Sequence, residues 1–110
     1  MSFKILTIPP FDKQLKRLVK KYPSLKSDFS VLLGSLQTEP EQGTAIGRNC
    51  YKIRLAITSK GRGKSGGARV ITNILVSETA VYLLAIYDKS EEENITDKKL
   101  SELIKQVPLE

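Results

Sequence analysis

The sequence contains no histidine and one cysteine, Cys50. No disulfide can close within the chain, zinc sites assembled from Cys and His are excluded, and no imidazole is available to titrate near neutral pH. Long apolar runs are missing too. The start, Met1 to Leu6, carries a lysine and no cleavage-type site, and the apolar stretch Val70 to Tyr87 is broken by Glu78. The chain is therefore expected to be cytoplasmic, with no export signal and no membrane partner.

The most informative absence is local. Between Gln42 and Ser77 there is no Asp or Glu, whereas Arg48, Lys52, Arg54, Lys60, Arg62, Lys64 and Arg69 all fall there. These seven of the 18 Lys and Arg supply the whole net charge of +6, because the remaining 11 face 12 acidic residues. A segment of one sign in an otherwise balanced chain points to a polyanionic partner.

With 110 residues, 40% hydrophobic and 27% charged, the sequence fits one domain spanning 1–110 with a core large enough to fold alone. Phe3 to Ile8 has the alternation and β-branching of a short strand, stopped by Pro9-Pro10. Phe11, Leu15, Leu18, Val19 and Tyr22 then form the apolar stripe of a helix whose other face carries Lys13, Lys16, Arg17, Lys20 and Lys21. After Pro23-Ser24, Leu25, Phe29, Leu32, Leu33 and Leu36 repeat that spacing until Pro40 and Gly43, so an antiparallel helical hairpin is expected.

From Tyr51 the period changes to two. Tyr51, Ile53, Leu55 and Ile57 alternate with Lys52, Arg54, Ala56 and Thr58, which describes a strand with one buried face and with Lys52 and Arg54 side by side on the other. Ala68 to Val76 and Thr79 to Tyr87 read as further strands, the last apolar on both faces and hence central. Thr96 is placed to cap a final helix with Leu100, Leu103, Ile104 and Val107 as its stripe. The expected fold class is α+β, a small antiparallel or mixed sheet with an N-terminal helical hairpin and a C-terminal helix, in the order β-α-α-β-β-β-α.

Lys60 to Arg69 holds four glycines and four cations in ten residues. Glycine lets a backbone approach a phosphate with its amides, and Lys and Arg neutralise the charge. A flexible hairpin tip would explain the glycines, but not the lack of acids in the flanking strands. Gly63-Lys64-Ser65 resembles the end of a P-loop, yet Thr58 stands where that motif needs its first glycine and a strand follows where a helix is required, so an ATPase is rejected. Lys52, Arg54 and Arg69 are the more telling group, since neighbouring strands place all three on one outward sheet face, converging on one anion. Crowding of this kind also lets one cation be held partly neutral as a base.

Three segments, Tyr51-Lys52-Ile53-Arg54, Gly61 to Ile71, and Val81 to Lys89 followed by acidic residues and a helix, carry a resemblance to the RelE/ParE superfamily of toxins from type II toxin–antitoxin systems, closest to its RelE/HigB-like branch. The resemblance implies a RelE-like fold and ribosome-dependent cleavage of messenger RNA in the A site, without metal or cofactor, inhibited by a cognate antitoxin. It implies that Arg69 stabilises charge growing on the phosphate, that Lys52 and Arg54 bind it and assist proton transfer, that Lys89 protonates or orients the leaving oxygen, and that Tyr87 carries a proton. Arg48, Lys60, Arg62 and Lys64 would hold RNA or the ribosome. The tail, Gln106 to Glu110, lacks the tyrosine or histidine that some members use, so no general base is assigned. The basic helix face is equally a ribosomal RNA contact or a plain solvated surface. Two rivals remain: a ParE-like gyrase inhibitor, which has no need of a phosphate-centred cluster, and a non-catalytic RNA-binding module, for which an aromatic content of 6% provides little stacking surface.

Overall fold

The computed structural model describes residues 2–61, 63, 66–92 and 94–108. Strand β1 (Lys4–Thr7) leads into helix α1 (Pro9–Lys21), which begins with two prolines. Proline is well tolerated there because the first helical N–H groups have no intrahelical acceptor. Asp12 in the first turn and Lys20 and Lys21 in the last complement the helix dipole. After a break at Tyr22 to Ser24, α2 (Leu25–Thr38) follows, and its Leu25, Phe29, Leu32 and Leu36 are buried. The two helices pack through Phe11 and Phe29, whose ring centroids lie 5.6 Å apart. Aromatic rings bury large areas, and a tilted pair of this kind adds a specific attraction to that burial.

The sheet is mixed, as expected. β2 (Thr44–Gly47), β3 (Cys50–Leu55), β4 (Ala68–Leu75) and β5 (Ala80–Asp88) join β1 in the order β1-β5-β4-β3-β2, with β1 parallel to β5 and every other pair antiparallel. The middle strand is β4, buried nearly throughout, whereas β5 is flanked on both sides only where β1 reaches it. Ile53, Val70 and Ile86 align across three strands and are all buried. Helix α3 (Asp97–Ile104) is capped by Thr96, whose hydroxyl accepts a hydrogen bond from the Lys99 amide at 3.1 Å. Among the described residues, no helix is long and apolar enough to cross a membrane.

One strand, β2, falls outside the sequence expectation. It closes on β3 through the two-residue turn Arg48-Asn49, and both residues adopt positive φ, 55° and 61°. Tight hairpins need that conformation and normally use Asn-Gly or Asp-Gly to reach it. Here support comes from β4: the Asn73 side-chain amide donates to the Arg48 carbonyl at 3.0 Å.

Candidate functional site

Register decides where the cations meet. Arg54 stands directly opposite Arg69 on β4, and Arg69 directly opposite Tyr87 on β5. Residues so opposed bring their Cβ atoms to about 5 Å on a common face. Lys52, two residues before Arg54, belongs to the same face one row away, aligned with Ile71 and Ala85. The irregularity in the β4–β5 pairing begins only after Ile71, so it leaves this alternation intact. Lys52, Arg54, Arg69 and Tyr87 thus form one patch.

The patch is less open than the sequence suggests. Arg69 is only 4% exposed, which corrects the expectation of an outward-facing residue. It lies in the middle strand between Arg54 and Tyr87, and the chain leading into α3 passes over this face. Lys52 Nζ donates to Asn94 Oδ1 at 3.1 Å, and Arg48 Nη1 donates to Ser101 Oγ at 2.6 Å. Arg69 also donates to the Ala68 carbonyl at 3.1 Å. Arg54 remains exposed and Lys52 half-buried, so solvent reaches the patch from the β3 side.

Tyr87 is buried; the Ile95 amide faces its oxygen, and its hydroxyl proton goes to no acceptor among the described residues. Burial pushes its pKa up, and the Glu92 carboxylate pushes the same way, together outweighing the nearby Arg69 and the Ile95 amide. The phenol is therefore held protonated, as a donor and not a base. Lys89 follows the end of β5, half-buried, and its amide donates to the Gly67 carbonyl at 3.0 Å, which keeps it beside the start of β4.

The glycine-rich tip divides in two. Gly61 and Gly63 have left-handed backbones, and a Cβ on Gly67 would collide with the Leu55 carbonyl oxygen, so Gly67 is required by close strand approach alone. Arg62 and Lys64 lie outside the described residues. Lys60 does not project from the tip as the sequence reading expects. Its side chain is 10% exposed, and its ammonium donates to Asp88 Oδ1 at 2.9 Å and sits 5.3 Å from the centre of the Tyr22 ring.

That contact exposes a residue the sequence reading passed over. Asp88 is fully buried at the end of β5, where it accepts hydrogen bonds from Lys60, from the Tyr22 hydroxyl at 2.5 Å, and from the Ser90 amide and hydroxyl at 3.0 and 2.8 Å. Burial alone would favour its neutral form, yet these donors hold it well below the usual carboxylate range. The carboxylate ties α1, the turn after β3 and the end of β5 together on the face of the sheet opposite the patch. A lone Asp between Tyr87 and Lys89 gives no sequence signal of this role, because its partners lie 66 and 28 residues away. Among the described residues, no group of three or more His, Cys, Asp or Glu could hold a metal ion.

The same arrangement of elements occurs in solved toxins. A free E. coli RelE carrying two arginine-to-alanine changes superposes with a TM-score of 0.66 at 17% identity, covering 98% of this chain and 100% of that one. The isolated E. coli RelE toxin gives a TM-score of 0.53 at 18% identity, covering 97% and 100%. A chain of the intact E. coli RelBE toxin–antitoxin complex gives 0.52 at 18% identity, covering 79% and 96%. At such identities these matches establish the fold. The family model described as the RelE toxin of the RelE/RelB toxin–antitoxin system matches residues 30–107, taking in most of α2, strands β2 to β5 and α3. The chain belongs to this RelE toxin family.

Proposed function

We propose that the chain is a ribosome-dependent, metal-independent endoribonuclease that cuts messenger RNA in the A site and is neutralised by a cognate antitoxin. The observation that carries this reading is the direct opposition of Arg54 and Arg69, with Lys52 and Tyr87 on the same face. Like charges placed opposite each other destabilise a sheet. A phosphodiester between them turns that repulsion into charge-assisted hydrogen bonds.

In this scheme the ribose 2′-hydroxyl gives up its proton to solvent water, its oxygen bonds to the adjacent phosphorus, and the bond from phosphorus to the 5′-oxygen breaks. The products are a 2′,3′-cyclic phosphate and a 5′-hydroxyl. Arg69 stabilises the charge gathering on the non-bridging oxygens, and Arg54 and Lys52 hold the phosphate. Lys89 gives a proton to the departing 5′-oxygen or orients it, and Tyr87, held protonated, stands beside the phosphate as a hydrogen-bond donor. Asn94 competes with RNA for Lys52, so binding displaces the segment over the patch and uncovers Arg69. Without histidine these groups are poorly tuned for acid–base work in water, and the ribosome supplies the in-line geometry that free RNA lacks. Arg48 is part of this reading as a contact to RNA beside α3. Lys60 acts through Asp88 as a support of the tip that carries Arg62 and Lys64.

The test is induction of the wild-type chain and of Arg69→Ala in growing cells, with transcript ends mapped across the transcriptome. Cleavage within codons by wild type alone supports the proposal. Growth arrest with DNA damage signalling and intact transcripts refutes it in favour of gyrase inhibition.

A further inference from the structure

β1 pairs with β5 only from Ala80 to Leu83. Over Leu84–Tyr87 that edge of β5 has no strand beside it among the described residues. A cavity of about 130 Å³ fills the place, backed by this stretch of β5, with Pro10 and Gln14 of α1 among its walls on one side and Ile95 and Leu103 on the other. Its chemistry is mixed. Pro10, Ile95 and Leu103 offer flat apolar contact, while the strand edge and the Gln14 amide N–H, its oxygen already accepting from Arg17 Nε at 3.1 Å, offer polar contacts. Tyr87 belongs to the same lining, and its buried hydroxyl, with the Ile95 amide facing its oxygen, gives its own proton to no described residue. A buried donor with no acceptor is costly, and a group that fills the cavity and accepts from it removes that cost.

Size narrows the occupant. A cavity of roughly 150 Å³ takes up one benzene ring. The slot therefore suits a single planar ring, whereas a four-residue peptide strand, about 13 Å long, needs far more room. Lys99 and Arg17 also line the cavity, although each faces a carboxylate, Lys99 with Glu92 at 3.8 Å and Arg17 with Glu91 at 2.9 Å. Tyr87 joins the slot to the Arg54–Arg69 row, so a ring held here is next to the phosphate site.

The geometry points to a nucleobase subsite: the slot holds the base of a pyrimidine nucleotide adjoining the phosphate, with the Tyr87 hydroxyl donating to a ring carbonyl and Gln14 facing the polar edge. This rests on the proposed function for its substrate and adds a base preference at one position. A purine, with its second fused ring, overfills the slot.

The test is titration of the isotope-labelled full chain with uridine, cytidine and adenosine 3′-monophosphates and with inorganic phosphate, followed by amide NMR. Uridine and cytidine nucleotides are expected to shift Ala85, Ile86, Tyr87 and Ile95 saturably and to bind about tenfold tighter than phosphate or the adenosine nucleotide, a gap typical of apolar pockets that sort substrates by size. Ile95→Phe, which fills the slot, and Gln14→Leu, at a helix-surface position that is safe for folding, should each erase the tenfold gap and leave phosphate affinity unchanged. Equal binding of all three nucleotides overturns the inference, as do shifts at these amides produced by the antitoxin and by no nucleotide. Transcript cleavage without base-dependent binding overturns the subsite alone. Base-dependent binding by a chain that leaves ribosome-bound transcripts intact removes the nuclease reading and keeps the subsite.

Discussion

Replacing Arg54 by Gln is expected to stabilise the protein while impairing it. Arg54 is exposed and stands opposite the buried Arg69, so the substitution removes a like-charge neighbour without opening a cavity. Opposed like charges on adjacent strands cost about 0.2–1 kcal/mol, and the exposure of Arg54 places this pair in the lower half of that range. The expected gain is about 0.5 kcal/mol, a rise in Tm of roughly 2 °C for a domain of this size. Urea unfolding in dilute buffer measures it directly. Repeating the measurement in 1 M sodium chloride, where the screening length falls to about 3 Å, should shrink the gain. Inorganic phosphate should then reverse the order of stabilities. Wild type gains about 2.7 kcal/mol when phosphate stands a hundredfold above its Kd, and the variant, binding more weakly, gains less. A variant destabilised by more than about 1 kcal/mol would show that Arg54 holds the sheet together. Equal stabilisation of both proteins by phosphate would show that no anion sits between the arginines.

Asp88→Asn should destabilise the protein by about 3 kcal/mol in urea unfolding, because it leaves the nearly buried Lys60 ammonium without its counter-charge; a loss below about 0.5 kcal/mol would rank the contact with ordinary surface pairs. Since the folded-state pKa of Asp88 is depressed, its contribution is present above the unfolded carboxylate value near 4 and is lost as pH falls further. Wild-type stability should accordingly decline below about pH 4 more steeply than that of Asp88→Asn, and parallel declines would contradict the assignment. Gly67→Ala drives a methyl group into the Leu55 carbonyl and should cost about 2 kcal/mol or more by the same unfolding measurement. Exchanging Arg62 and Lys64 for Gln should lower the slope of log affinity for ribosomes against log salt by about one to two, and an unchanged slope would mean that neither touches RNA phosphate.

The parts of the fold legible in the sequence are those set by local chemistry. Pro9-Pro10 marks the start of α1, the change of period at Tyr51 marks β3, and Thr96 caps α3 as its position implies. Two-residue alternation is also enough to put Lys52 and Arg54 on one face, and antiparallel register adds Arg69. What stayed hidden depends on distant partners. The turn that makes β2 is stabilised by Asn73 from another strand, and Arg48-Asn49 carries no hairpin signal of its own. Lys60 reads as one more cation of a basic tip until Asp88 and Tyr22, from two other elements, are seen to enclose it. The burial of Arg69 is likewise a product of position, since the segment through Asn94 and α3 must fold over the sheet before the residue is covered.

The central claim is that the patch of Lys52, Arg54 and Arg69 grips a scissile phosphate, and the most direct measurement uses ribosomes programmed with a defined messenger RNA. Purified wild-type chain is expected to cut the A-site codon, leaving a 2′,3′-cyclic phosphate and a 5′-hydroxyl, and Arg69→Ala is expected to leave the transcript whole while unfolding cooperatively. Cleavage by Arg69→Ala at the wild-type rate, or an untouched transcript with the wild-type chain, would contradict it.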